Sequence, residues 1–179
     1  EELGRGIVME PIQQALIAGA VLEGYAPDAL KAGWLPKIAG GEAIVVLAQQ
    51  ERKSRYNLSK CDTQAQQQDG QWNLTGTKSM VAVGDHADAF LVPAMAAGKL
   101  ALFLVAKGAK GASAAGYVTQ DGGRAAELTL SQTPAALVTL DGLTALNHAV
   151  DIGIACACAE GVGVMDKTMA ITVDYMNTR

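Results

Sequence analysis

Residues 71–94, QWNLTGTKSMVAVGDHADAFLVPA, decide how the chain folds. Trp72 and Leu74 alternate with polar neighbours, the period of a strand with one buried face. Asp69-Gly70 before them and Gly76-Thr77-Lys78 after them read as two turns. On these residues alone the segment is an ordinary hairpin with an ordinary core face. The competing reading makes it a wall built against something flat.

The same short-strand pattern extends in both directions. AIVVLAQ (43–49) is a buried β run, and TQAQQQ (63–68) alternates weakly. AFLVPA (89–94), LALFLVA (100–106), YVTQ (117–120), AELTLS (126–131) and AALVTL (135–140) follow at the spacing of an antiparallel sandwich or barrel. Residues 43–142 therefore read as one antiparallel β-domain.

Helical periodicity takes over at both ends. In GIVMEPIQQALIAGAVLEGY (6–25) apolar residues recur every three or four positions, with Pro11 as a break or first-turn residue. Pro27 and Asp28 open a second helix, kinked at Pro36 and stopped by Gly40-Gly41. From Leu143 to Arg179, Leu146, Val150, Ile154, Ala157, Gly161, Val164 and Thr168 recur near the helical period, predicting one helix about 50 Å long. Its Gly and Ala content predicts a neighbour packed very close. The expected class is α+β: an antiparallel β-barrel or sandwich flanked by incomplete helical segments at 1–42 and 143–179.

Composition narrows the function. The 179 residues are 50% hydrophobic and 18% charged with a net charge of −4, which describes a globular chain without a basic face for nucleic acid. The one basic cluster, Glu51-Arg52-Lys53-Ser54-Arg55, reads as a solvated loop. Three cysteines argue against a disulfide framework and fit a reducing, cytoplasmic setting. Cys156 and Cys158 read as small core residues, and His86 and His148 lack ligand spacing, so no metal site is expected. No signal peptide is legible, and the Glu-Glu opening without Met suggests a fragment. The most apolar run, 152–165, is interrupted by Glu160 and is too short for a membrane span.

Four pieces in this order resemble the acyl-CoA dehydrogenase superfamily. EELGR (1–5) is similar to the end of an early helix of the family's N-terminal domain. LKAGWLPKIAGGEAI (30–44) resembles the passage into the middle β-domain, and DGQWNLTGTKSMVAVGDHADAFLVPA (69–94) a segment within it. EGVGVMDKTMAITVDYMNTR (160–179) looks like the first long helix of the C-terminal domain. The resemblance implies FAD held between the β-domain and C-terminal helices, with residues 47–51 and 79–82 as the strands facing its ring. The cofactor-contact positions are then Leu47, Gln49, Gln50, Met80, Val81 and Ala82. Arg179 matches the Arg that pairs with the FAD pyrophosphate, usually of a neighbouring subunit.

The chain also departs from that pattern. Where many members carry Thr-Glu-Pro-Gly-Ala-Gly-Ser-Asp, residues 50–57 keep only Glu51. Members' Trp-Ile-Thr is Met80, Val81 and Ala82 here, so a hydroxyl expected near the flavin is missing. The catalytic Glu of most members corresponds to sequence beyond residue 179. The alternative base position is Gly153, which cannot act as a base, with Ile154 where an Arg often follows. Asp151 agrees with an acid of many members and is the candidate substrate-binding residue, while Glu160 reads as a carboxylate pairing with a neighbouring helix.

The implied activity is FAD-dependent oxidation of an acyl-CoA to the 2,3-enoyl-CoA, with electrons passed to electron-transfer flavoprotein, in a homodimer or homotetramer. The 179 residues alone should be inactive. A flavin-dependent oxidase or monooxygenase and a non-catalytic subunit are the alternatives.

Overall fold

The computed structural model describes residues 1–54 and 56–179. Arg55, part of the basic cluster, lies outside the described residues. Three helices come first: α1 (Glu2–Arg5), α2 (Ile12–Tyr25) and α3 (Asp28–Ala39). Seven strands follow: β1 (Val45–Leu47), β2 (Gln64–Gln68), β3 (Gln71–Ala82), β4 (Ala89–Ala96), β5 (Lys99–Ala106), β6 (Ala112–Val118) and β7 (Arg124–Thr139). Helix α4 (Gly142–Thr178) closes the order. Pro11 and Pro27 occupy the N-caps of α2 and α3, and α3 continues through Pro36 to Ala39.

Strands β4, β2, β3, β7 and β5 hydrogen-bond in that sequence, and the β4–β5 pairing closes them into a five-stranded barrel. The sheet is mixed, which corrects the antiparallel expectation. β4 does not return beside β3, so residues 71–94 are not a hairpin. It passes β3 and runs parallel to β1 through Ala89–Leu91 and to β2 through Met95–Ala96. Asp69-Gly70 does form a two-residue turn, with Gln68 opposite Gln71 and both turn residues at positive φ. Gly76-Thr77-Lys78 is not a turn. It lies inside the 12-residue β3, where Gly76 is required because a Cβ there would sit 2.5 Å from Thr63 Oγ1.

AELTLS and AALVTL merge into the 16-residue β7, bent by a bulge. There Gln132 adopts φ 49° and donates from N–H and Nε2 to Thr75 Oγ1. One edge of β7 serves two partners in succession, β6 up to Leu130 and β5 from Ala136.

β4 is buried on both faces, which explains its unbroken apolar run. Phe90, Val92 and Ala94 point into the barrel with Phe103, Leu74 and Leu128, while Trp72 packs on Phe103 at 5.3 Å between centroids. Ala89 and Leu91 face outward, where Val21 and Leu22 of α2 and Ala145, Leu146 and Ala149 of α4 cover them. Pro93 is tolerated mid-strand because it falls in the gap between the β1 and β2 pairings, where no neighbouring strand requires its missing N–H.

α4 is one helix of 37 residues, capped by the Asp141 side chain accepting from the Thr144 N–H. The close neighbour expected of its small residues is α1. A Cβ on Gly163 would lie 2.0 Å from the Glu1 carbonyl oxygen, and one on Gly4 2.2 Å from that of Glu160. Arg5 crosses to Asp166 at 2.7 Å. By length and composition alone α4 could cross a membrane, which the 152–165 window did not reveal. Its second half leaves Met165, Met169, Ile171, Val173 and Met176 exposed.

Candidate functional site

At the Lys78–Val81 step β3 carries two residues against one on β7, a bulge centred on Ser79 and Met80. Met80 takes φ 51°, and its N–H points to Glu127 Oε1 at 3.4 Å. This conformation turns the Met80 side chain out of the barrel, leaving it 57% exposed. The Ser79 N–H meanwhile donates to the Gln50 carbonyl at 2.8 Å. Residues 47–50 and 79–82 are thereby drawn into a single wall.

A cleft of about 180 Å³ lies against that wall. It is lined by Leu47, Gln49, Gln50, Ser79, Met80, Val81 and Ala82, with Gln14 and Ile17 of α2 across from them. All six sequence-predicted contact positions on these two segments meet here. The Val81 side chain belongs to the barrel core, so its backbone is what remains for the cleft. No lining side chain is charged, and Gln49 Oε1 is a buried acceptor without a hydrogen-bond partner. Met80, Ala82 and Gln14 also border a larger cleft of about 480 Å³, which reaches Arg124, Cys156 and Glu160.

The other candidates lie elsewhere. Arg179 follows the last residue of α4, roughly 37 Å along the helix from Gly153, and its guanidinium stacks 5.3 Å over the Tyr175 ring. It is not part of either cleft. Asp151 is exposed on α4. Gly153 is packed against α2: its carbonyl accepts from Gln13 Nε2 at 3.1 Å, and a Cβ would already touch Ile17 Cδ1 at 3.4 Å. Glu160 corrects its reading, because it is exposed and has no ion pair among the described residues. Cys156 is half-buried and Cys158 exposed, so neither is a core residue.

The sequence reading missed what holds the wall. Glu51, placed in a solvated loop, is buried, and its Oε1 is 2.6 Å from Nζ of the fully buried Lys78. The same oxygen accepts from Thr63 Oγ1 at 2.6 Å and the Thr63 N–H at 3.1 Å, while Oε2 accepts from the Asp62 N–H at 2.6 Å. Burial by itself would raise this carboxyl. Hydrogen bonds from Lys78, Thr63 and Asp62 outweigh it and hold the value at about 2. Cys61 Sγ lies 3.4 Å from Glu51 Oε1, and burial pushes its thiol up, away from thiolate reactivity. The legible signal was that Glu51 alone survives in a motif otherwise altered.

No family model matches the chain. Among curated proteins, acyl-CoA dehydrogenase FadE27 of Mycobacterium tuberculosis is 27% identical over 181 residues, spanning 99% of this chain and 47% of that protein. The ChsE4–ChsE5 complex of the same organism superposes with a TM-score of 0.88 at 26% identity, over 99% of this chain and 48% of the matched one. A Mycobacterium smegmatis glutaryl-CoA dehydrogenase in complex with FADH2 gives 0.87 at 24% identity over 93% and 45%, a likeness of fold alone. The chain spans about half the length of these relatives. Sequence and fold together bear out the resemblance to the acyl-CoA dehydrogenase superfamily along nearly the whole chain.

Proposed function

We propose that the chain is part of a flavoprotein that binds FAD and oxidises an acyl-CoA to its 2,3-enoyl-CoA. The observation that carries this is the uncharged cleft between residues 47–50 and 79–82. An apolar face at Leu47, Ile17 and Met80 suits a flat ring, and the unsatisfied carboxamide of Gln49 suits the ring's polar edge. When bound, FAD would supply a two-electron acceptor. The chain's own work is to hold and desolvate it: Met80 packs against it, the α2 side excludes water, and the Glu51–Lys78 pair fixes the wall behind.

In this reading residues 1–42 end an N-terminal helical domain, 43–142 form the middle β-domain, and 143–179 begin a C-terminal helical domain. Arg179 serves the pyrophosphate of a neighbouring subunit, to which a guanidinium is suited by bidentate hydrogen bonds. Asp151 contributes to substrate binding. Gly153 offers no base, so the group that takes the α-proton is assigned to sequence beyond Arg179. Electron-transfer flavoprotein is the proposed acceptor, a homodimer or homotetramer the assembly, and the cytoplasm the location. A helical partner rather than a bilayer covers the apolar half of α4.

The test is the visible spectrum of the full-length protein before and after anaerobic addition of a panel of acyl-CoAs. A flavin band that one of them bleaches supports the proposal and names the substrate class. A yellow protein that none bleaches moves the reading to an oxidase or monooxygenase. A second reading, a non-catalytic subunit beside an active paralogue, is favoured by Ala82 and Gly153 lacking functional side chains. A colourless protein that copurifies with such a paralogue would select it.

A further inference from the structure

We infer that Gln49 is the residue that reads the hydrogen-bonding edge of the bound ring, through an imide N–H donated to its Oε1. The inference rests on the flavoprotein proposal and adds to it a specific atom. Among the described residues the buried side-chain oxygens or nitrogens without partners are Arg5 Nε, Gln49 Oε1 and Asp85 Oδ1. Of these residues only Gln49 lines the small cleft. An unsatisfied buried acceptor is costly, so a donor brought in by a ligand restores more than an exposed hydrogen bond would.

Charge and chemistry select the class of donor. The nine lining residues include no acid and no base, so a cationic or anionic group would enter without a counter-charge. A neutral heterocycle with an N–H flanked by carbonyls meets no such cost, and a carboxamide can accept from that N–H while donating to the adjacent oxygen. The nearby Gln50 carbonyl already accepts the Ser79 N–H. Leu47, Ile17 and Met80 supply only apolar contact.

The experiment uses full-length apoprotein titrated with FAD and with 3-methyl-FAD, in which the imide N–H is replaced by N–CH3. Wild type is expected to bind FAD about tenfold more tightly than the methyl analogue, the worth of one hydrogen bond. Gln49→Leu and Gln49→Met should bind FAD about tenfold more weakly and should no longer distinguish the two flavins. Gln49→Glu, which keeps an acceptor, should retain the discrimination while shifting the flavin's midpoint potential downward, since a carboxylate opposes charge on the reduced ring. Equal binding of both flavins by wild type, or undiminished discrimination by Gln49→Leu, overturns the inference and leaves the flavoprotein proposal standing. Wild type that takes up neither flavin overturns both.

Discussion

Lys78 Nζ and Glu51 Oε1 lie 2.6 Å apart in a site where the lysine side chain has no solvent exposure. The pair joins the loop after β1 to the strand that carries the bulge, directly behind the cleft wall. Removing one partner strands a buried charge. Lys78→Met is expected to destabilise the full-length protein by about 3–5 kcal/mol, whereas Lys78→Met with Glu51→Gln should recover much of the loss. Chemical denaturation midpoints of the two variants and the parent check both.

The same pair sets an acid limit. Glu51 titrates at about 2 in the fold against an ordinary 4.5, so its stabilisation is fully present above about pH 4.5 and is lost as pH falls towards 2. The span corresponds to roughly 3 kcal/mol. The double variant Glu51→Gln with Lys78→Met, which leaves no buried charge behind, should have a flatter stability profile over that acid window than the parent, read from denaturation midpoints between about pH 2 and pH 5.

Gly76 tests the packing that supports Glu51. A Cβ at this position would lie 2.8 Å from the Thr63 Cα, so Gly76→Ala must displace the residue whose hydroxyl and N–H both reach Glu51. The expected destabilisation is about 1–3 kcal/mol, with faster amide exchange at Asp62 and Thr63.

Met80 holds a left-handed conformation that costs a non-glycine residue about 1–2 kcal/mol. Its side chain is mostly exposed, so little packing offsets that strain. Met80→Gly should therefore raise the melting temperature of the full-length apoprotein while weakening flavin retention, because the cleft loses its thioether. A variant that is both less stable and equally retentive would contradict the bulge geometry.

Gly163 sits where α1 and α4 touch backbone to backbone. Gly163→Val should release α1, seen as rapid amide exchange at residues 3–6 and loss of the Arg5–Asp166 contact, with barrel amides unaffected.

Much of the architecture was written locally in the chain. The Asp69-Gly70 turn, the period-two face of Trp72 and Leu74, and the long periodic run into α4 are consequences of backbone preference and of burying one face, and a sequence carries both. The juxtaposition of residues 47–50 with 79–82 was legible only through family resemblance. Periodicity and turn chemistry do not say which strands will be neighbours.

Tertiary structure decided the rest. Gly76-Thr77-Lys78 has the residues of a turn but is a strand, because β7 pairs along its length and Thr63 needs the space a side chain would take. β4 lies between the barrel core and the layer of α2 and α4 because both its faces are apolar, and its parallel pairing with β1 and β2 has no local signal in the sequence. Glu51 and Lys78 look like surface charges in sequence. They are buried because each supplies the charge the other needs, and a partner 27 residues away is fixed only when the barrel closes.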